Sequence, residues 1–352
     1  MQVTLANWRT APFNRWAFHH VRELIPTADI PNDPARVRPL AAQAAALPAD
    51  FEAFLRETDT DGIAVLHRGK LLFERYANGM TDATPHILMS VSKSMLGLLM
   101  KETGIDTERL VADVLPELKE TAYRGATIRH LLDMRAGIVW NEDYLATSGP
   151  IVEYRKATGW NPPAEPPGDL HFFYRTLTDA EPHGGRFHYV SPNSDLLGWV
   201  IERAAGRRYA DLMSELVWKR VGAERNAYIT VDRLGAPRCA GGMCMTLRDL
   251  ARVGLWMIET GRVETEGSAE AWAAGDLAPY FPGLPMRYRS QWYILDGNAP
   301  LVFGVGIHGQ NLFVDRVNQI VIAKVSSQAL PMDAERIGLA MRAVAQLRKF
   351  LA

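Results

Sequence analysis

The sequence predicts an α+β fold in which an antiparallel sheet is flanked by helices and interrupted by a mostly helical insertion. Three observations carry this expectation. Strand-like segments cluster near both ends of the chain, helix and loop signals fill the middle, and an amphipathic stripe closes the sequence.

Taken in chain order, residues 62–67 and 70–76 are apolar runs on either side of Arg68-Gly69, the pattern of a hairpin with a two-residue turn. Residues 87–100 read as a helix entered just before Ser90, with Val91, Met95, Leu98 and Leu99 on its buried face. Further helices are expected at 127–134, 194–205 and 246–258. The last opens with Thr246 and has Asp249 three residues on, a capping-box-like start. Strands are expected at 301–307, 311–315 and 319–325. From Asp333 onward, Ile337, Met341, Val344, Leu347 and Leu351 recur at helical spacing. Strands at both ends imply that the termini meet in one domain, 1–110 with 255–352, while 111–254 forms a mostly helical domain. The active site would lie in the cleft between them, bordered by the Pro-rich loop 159–168 and the Gly/Met-rich loop 239–244.

Composition bounds the function. The 352 residues are 47% hydrophobic and 22% charged, which excludes disordered and fibrous architectures. Lys+Arg 39 against Asp+Glu 40 gives a net charge of -1 with no basic concentration, so neither a nucleic acid nor an anionic membrane is an expected partner. A small molecule or peptide is favoured. The first residues carry neither a basic region nor an apolar one, and no uncharged apolar run is long enough to cross a bilayer, so the chain reads as cytoplasmic. Cys239 and Cys244 are too few for a disulfide framework and suggest no zinc site. No cofactor or metal is expected. Trp 9 and Met 13 leave room for an apolar contact surface and hence a homodimer.

Three segments can carry chemistry. Ser90 and Lys93 sit one helical turn apart, within reach of one another, at a helix N-terminus whose positive potential favours serine ionisation and lysine deprotonation. That is a workable activated nucleophile, although a buried serine beside a snorkelling lysine fits the same spacing. Tyr189 ends an irregular segment just before a helix. There it can serve as general base and then return the proton to a leaving group, or be a core aromatic. The segment 303–310, Phe-Gly-Val-Gly-Ile-His-Gly-Gln, is a strand thinned by glycines where a substrate could approach the backbone; a glycine-lightened strand with a bulge fits equally well. Amides there and at Ser90 could face an oxyanion. No G-x-S-x-G elbow is present, which argues against an α/β-hydrolase.

Ser-x-x-Lys, a mid-chain tyrosine and a late glycine-bearing strand occur here in the order found in the serine β-lactamase/penicillin-binding-protein superfamily, and the chain resembles its class C-like branch. More narrowly, it is similar to the 6-aminohexanoate-dimer (nylon-oligomer) hydrolase group and related esterases. The similarity runs through Trp8, Pro12-Phe13-Asn14-Arg15-Trp16, His130-Leu131-Leu132-Asp133-Met134, Glu142-Asp143-Tyr144, Gly159-Trp160, the Tyr189 segment, Thr246 to Arg252 and Gly306 to Gln310. The resemblance implies a β-lactamase/transpeptidase-like fold and a serine hydrolase that acts through an acyl-enzyme on small esters or linear amides. Ser90 would be the nucleophile, Lys93 its proton acceptor and Tyr189 the residue that activates the serine and protonates the leaving group. The Ile307 amide would complete the oxyanion hole, and Tyr144 and Trp160 would close over the substrate. Gly306 and His308 are further candidates for substrate contact, His308 through partial replacement of a lost polar group or as a structural histidine bonded to a carbonyl. The strand motif reads Gly304-Val305-Gly306, without the lysine of K-T-G, and Ser191 stands where the superfamily has asparagine. The missing lysine and the lack of an export signal argue against a β-lactamase or DD-peptidase, while the Ser191 arrangement is that of the nylon-oligomer group. A catalytically idle penicillin-binding-like domain is the reading from another class.

Overall fold

The computed structural model describes residues 2–48, 50–262, 281 and 283–352. Its strands, in chain order, are β1 (Thr27–Ile30), β2 (Ala41–Ala42), β3 (Thr60–His67), β4 (Lys70–Tyr76), β5 (His86–Ile87), β6 (Ala227–Thr230), β7 (Met243–Met245), β8 (Met286–Arg289), β9 (Trp292–Leu295), β10 (Leu301–Gly306), β11 (Gln310–Asp315) and β12 (Ile320–Ser326). Among the described residues they form an eight-stranded sheet, β2-β4-β3-β12-β11-β10-β9-β8, and a four-stranded one, β1-β6-β7-β5. All pairings are antiparallel except β2 with β4.

The hairpin forms as its sequence requires. Arg68 and Gly69 both take left-handed φ, +49° and +76°, the backbone that a tight two-residue turn needs to match strand twist. β12 then pairs with β3, Ala323 opposite Ala64, which joins the two ends of the chain in one sheet. Successive residues of β3 point to opposite faces, and both faces are buried. Ala64 and Leu66 pack with the helices Val91–Thr103 and Leu247–Thr260. Ile63 and Val65 pack with Phe51, Phe54 and the closing helix Ala334–Leu351. Burial of both faces explains why β3 reads as a nearly continuous apolar run rather than an alternating one. In the closing helix, capped by Asp333, Val344 and Leu347 are buried, while Ile337, Met341 and Leu351 sit at the edge of the stripe.

The boundary expected between residues 254 and 255 cuts through the helix Leu247–Thr260, which packs along β12, β11 and β3. Gly254 permits this approach: a Cβ there would lie 2.4 Å from Val321 Cγ1. The middle segment also supplies β6 and β7, which pair with β1 and β5 from the first hundred residues. Residues 263–280 of the expected C-terminal portion lie outside the described residues. The helix expected at 194 begins at Ser191, with Pro192 in its first turn, where a missing N–H costs nothing. No described helix is long and apolar enough to cross a membrane.

Candidate active site

Ser90 is delivered by the small sheet. β5 pairs with β7, Leu88 N–H donates to Met243 O at 2.9 Å, and Met89 turns the chain with φ +46°, a strained value for a non-glycine residue. Ser90 follows as the N-cap of the helix Val91–Thr103. β10 presses against this corner from the large sheet. A Cβ on Gly304 would lie 2.8 Å from Ser94 Oγ, and one on Gly306 would lie 2.6 Å from Leu88 O. The glycines therefore serve the approach of strand to helix. Gly306, expected to contact substrate, stands behind the Ser90 backbone and outside the wall of the hollow that holds Ser90.

Lys93 is buried, and its Nζ lies 3.0 Å from Ser90 Oγ, 3.1 Å from Ser191 Oγ and 2.8 Å from Ala240 O. Two of these partners can only accept. Ala240 offers a carbonyl, and the Ser191 hydroxyl proton is committed to Glu142 Oε1 at 2.5 Å. A neutral amine has two protons and one lone pair. With both protons so engaged, the lone pair of Lys93 faces Ser90. Burial pushes the amine down to about 7, helped by Arg238 and opposed by the carboxylates of Glu142 and Asp195, so the neutral form is accessible near neutral pH.

Each acceptor is itself held. Glu142 Oε2 also accepts from Ser191 N–H at 3.1 Å and from Trp140 Nε1, so one carboxylate fixes the start of the helix Ser191–Ala205. Asp195 Oδ1 accepts from Ala240 N–H at 2.6 Å, and its Oδ2 accepts from Tyr154 Oη and Arg238 Nη1, each at 2.5 Å. Asp195 therefore anchors, through its N–H, the residue whose carbonyl accepts from Lys93.

Tyr189 is half-buried beside this centre, its ring 4.8 Å from Lys93 Nζ and its hydroxyl hydrogen-bonded to Ser90 and Tyr293. Burial, followed by Tyr288 and Glu142, raises its pKa well above the ordinary phenol value. The local field therefore holds Tyr189 as a neutral phenol within hydrogen-bond reach of Ser90.

Two hollows meet at Ser90. The larger, about 330 Å³, has walls that include Trp140, Tyr189, Phe281, Tyr293, Val305 and Met332. The smaller, about 30 Å³, includes Arg9, Arg155, Arg238 and Trp160. Ser90, Glu142, Tyr144 and Ile307 belong to both, so they form the partition. Ile307 thus lines both hollows together with the serine. Tyr144 is half-buried and hydrogen-bonded to Glu142. Trp160 is buried, with Nε1 donating to Thr230 Oγ1 at 3.0 Å and its ring edge-on to Trp8 at 5.1 Å; it is already packed as part of the smaller recess. His308 is not brought to the cavity. Its left-handed φ of +61° turns the ring inward, where Nδ1 donates to Gln328 O at 2.7 Å and the ring meets Phe18 at 5.2 Å. Burial lowers it to about 4, so the expected substrate contact gives way to a neutral structural histidine.

Several site residues carried no assigned role in the sequence reading. Glu142 stood within a recognised segment, whereas Arg9, Arg155, Arg238 and Ala240 are scattered over more than 200 positions, and only Gly241-Gly242 marked the last of them. Cys239 and Cys244 are buried thiols with pKa values pushed up, Cys244 to about 12. The metal-capable cluster His19, Asp61 and His86 lies outside both hollows.

Comparison with known proteins agrees with this geometry. A beta-lactamase family profile matches residues 47–346. The chain is 38% identical over 348 residues to the 6-aminohexanoate-dimer hydrolase of Paenarthrobacter ureafaciens, covering 93% of this chain and 88% of that one. A solved Bacillus anthracis structure named for the same dimer hydrolase superposes with a TM-score of 0.85 at 24% identity, over 99% of this chain and 97% of that one. A class C beta lactamase from Rhodobacter sphaeroides shares the fold, with a TM-score of 0.57 at 17% identity over 86% and 98% of the two chains. With an activatable serine at the meeting point of two hollows and these relatives, the chain belongs to the beta-lactamase family and is a serine hydrolase.

Proposed function

We propose that the enzyme cleaves small linear amides or esters, of the 6-aminohexanoate-oligomer or carboxylester type, through an acyl-enzyme on Ser90. The observation that carries this reading is the hydrogen-bond arithmetic at Lys93, whose lone pair is left for the Ser90 proton. As Ser90 Oγ bonds to the substrate carbonyl carbon, its proton passes to Lys93 Nζ, and the carbonyl oxygen takes the negative charge facing the amides of Ser90 and Ile307. Tyr189 protonates the departing amine or alcohol and is reprotonated through Ser90's former proton on Lys93. Water then adds to the acyl carbon by the same route in reverse, releasing the acid and restoring Ser90.

The two hollows support a substrate of unequal ends. The larger accepts an aliphatic chain against aromatic walls, and the arginines of the smaller favour an anionic end such as a carboxylate. A β-lactam substrate is disfavoured: the strand position that would bear the carboxylate-binding lysine is Gly304, where Ser94 leaves no room for a side chain.

The test is labelling with a fluorophosphonate and turnover of p-nitrophenyl butyrate, 6-aminohexanoate dimer and nitrocefin. Wild type should be labelled on Ser90 and should hydrolyse the first two in preference to nitrocefin. Ser90→Ala should lose labelling and at least about 10³-fold of turnover. Unimpaired hydrolysis by Ser90→Ala would refute the mechanism, and a folded wild type that is neither labelled nor active would favour a binding domain.

A further inference from the structure

Three side chains distant in sequence converge in the interior beneath the Ser90 corner: His19, which follows the short helix Asn14–Ala17, Asp61 of β3 and His86 of β5. All three are buried, and their ligand atoms lie within 4.8 Å of one another. Asp61 Oδ2 is 3.3 Å from His86 Nε2 and 3.6 Å from His19 Nε2.

Each group is pre-oriented. His86 Nδ1 lies 2.7 Å from Ile87 O, and because a carbonyl only accepts, Nδ1 carries a proton and Nε2 is the ring atom directed at Asp61 Oδ2. Asp61 Oδ1 accepts from Ser327 Oγ at 3.1 Å, which leaves Oδ2 for the imidazoles. His19 Nε2, only 4% exposed, has Asp61 Oδ2 at 3.6 Å, beyond an ordinary hydrogen bond, and no nearer partner. The neighbouring Lys324 directs Nζ to Gly309 O and Ser326 Oγ. A histidine fixed through a carbonyl, a carboxylate held by one oxygen and an orphaned second histidine match the way metal ligands are anchored by outer partners.

The spacing agrees. Bonds of about 2.0–2.1 Å to zinc put neighbouring tetrahedral ligands roughly 3.3–3.4 Å apart. Both separations from Asp61 Oδ2 lie near that edge, and both exceed the roughly 2.7–2.9 Å of a charge-assisted hydrogen bond.

We propose that His19, Asp61 and His86 bind a zinc-like divalent cation as a structural centre, with water in the fourth position. Two imidazoles and one carboxylate suit Zn²⁺ better than Ca²⁺ or Mg²⁺, which prefer oxygen ligands. The ion would tie the N-terminal segment to β3 and β5. Phe18, beside His19, packs against both His86 and His308, so the clamp would stiffen the floor on which Ser90, four residues after His86, is presented.

The test uses full-length protein stripped with a chelator and then dialysed against Zn²⁺ or Co²⁺ alone, with metal content, the visible Co²⁺ spectrum and Tm as readouts independent of hydrolysis. One ion per chain is expected, with the intense bands of four-coordinate Co²⁺ and a Zn²⁺-dependent rise in Tm that the chelator reverses. His19→Gln and Asp61→Asn should lose all three, while His20→Gln and Ser90→Ala keep them. A folded, stripped wild type that takes up no ion, or a His19→Gln variant that binds as well as wild type, would overturn the proposal. Should the variants fail to fold, the wild-type uptake and Co²⁺ spectrum decide the matter alone.

Discussion

Lys93 and Lys324 are two buried lysines with nearly the same chemistry and different consequences. Burial pushes each amine down to about 7, and each is bonded to a serine hydroxyl and a main-chain carbonyl. Lys93 faces Ser90, which opens on two hollows. Lys324 sits in the middle of the large sheet, on β12, among Asp61, Asp59 and Arg336, and lines neither hollow. Desolvation alone therefore does not make a base. What distinguishes Lys93 in the proposed mechanism is that two of its neighbours can only accept, which leaves its lone pair for Ser90, at the meeting point of the two hollows.

The sharpest way to break this contrast is Lys93→Met. The variant should fold, and turnover of p-nitrophenyl butyrate should fall by about 10³-fold or more, because both the proton acceptor and the orientation of Ser90 are lost. Retained activity would end the comparison. Next in size is Tyr189→Phe, which tests whether the phenol donates a proton. Amide hydrolysis should drop by roughly 10²-fold and that of an activated ester by less, since a nitrophenolate leaves without protonation. Equal losses on both substrates would assign Tyr189 to the acylation base instead.

The pH dependence sharpens the contrast further. Lys93 must be neutral to accept the Ser90 proton, so kcat/KM should rise with pH and reach half its plateau near pH 7. The Glu142 carboxylate raises that value, so Glu142→Gln should move the rising limb to lower pH while lowering the plateau, as a single amide oxygen cannot serve the Ser191 hydroxyl, the Ser191 N–H and Trp140 together. A limb that stays put would show that Glu142 does not act on Lys93.

The smallest effect is expected from Lys324→Met, with turnover within about twofold of wild type. Its signature is in stability. The folded chain holds Lys324 near 7 against an ordinary 10.5, so the unfolded state carries the extra proton and wild-type stability declines as pH falls from roughly 10 toward 7, then levels off. Lys324→Met removes that contribution, so the difference in Tm between variant and wild type should grow in favour of the variant over that window. A pH-independent difference would refute the shift.

Local chemistry made much of this legible. The Arg68-Gly69 turn, the cap at Thr246 and the one-turn spacing of Ser90 and Lys93 depend on neighbours within four residues, and all appear in the structure. The segment 303–310 was legible only as a glycine-thinned strand. Whether that thinness served a ligand or a helix depended on what packs against it, and the helix bearing Ser90 does. The short strands β5 to β9 were passed over because two to four residues carry too little pattern to stand out.

By itself, the sequence determined which residues could be nucleophile, base and proton donor, because hydroxyl, amine and phenol are properties of side chains and a three-residue step is a property of a helix. Only the tertiary structure decided their surroundings. The field that keeps Tyr189 neutral, the acceptors Ser191 and Ala240 that turn the Lys93 lone pair toward Ser90, and the inward turn of His308 arise from groups brought together over long stretches of chain. Electrostatic and hydrogen-bond environments follow distance in space, and distance in space is what folding creates.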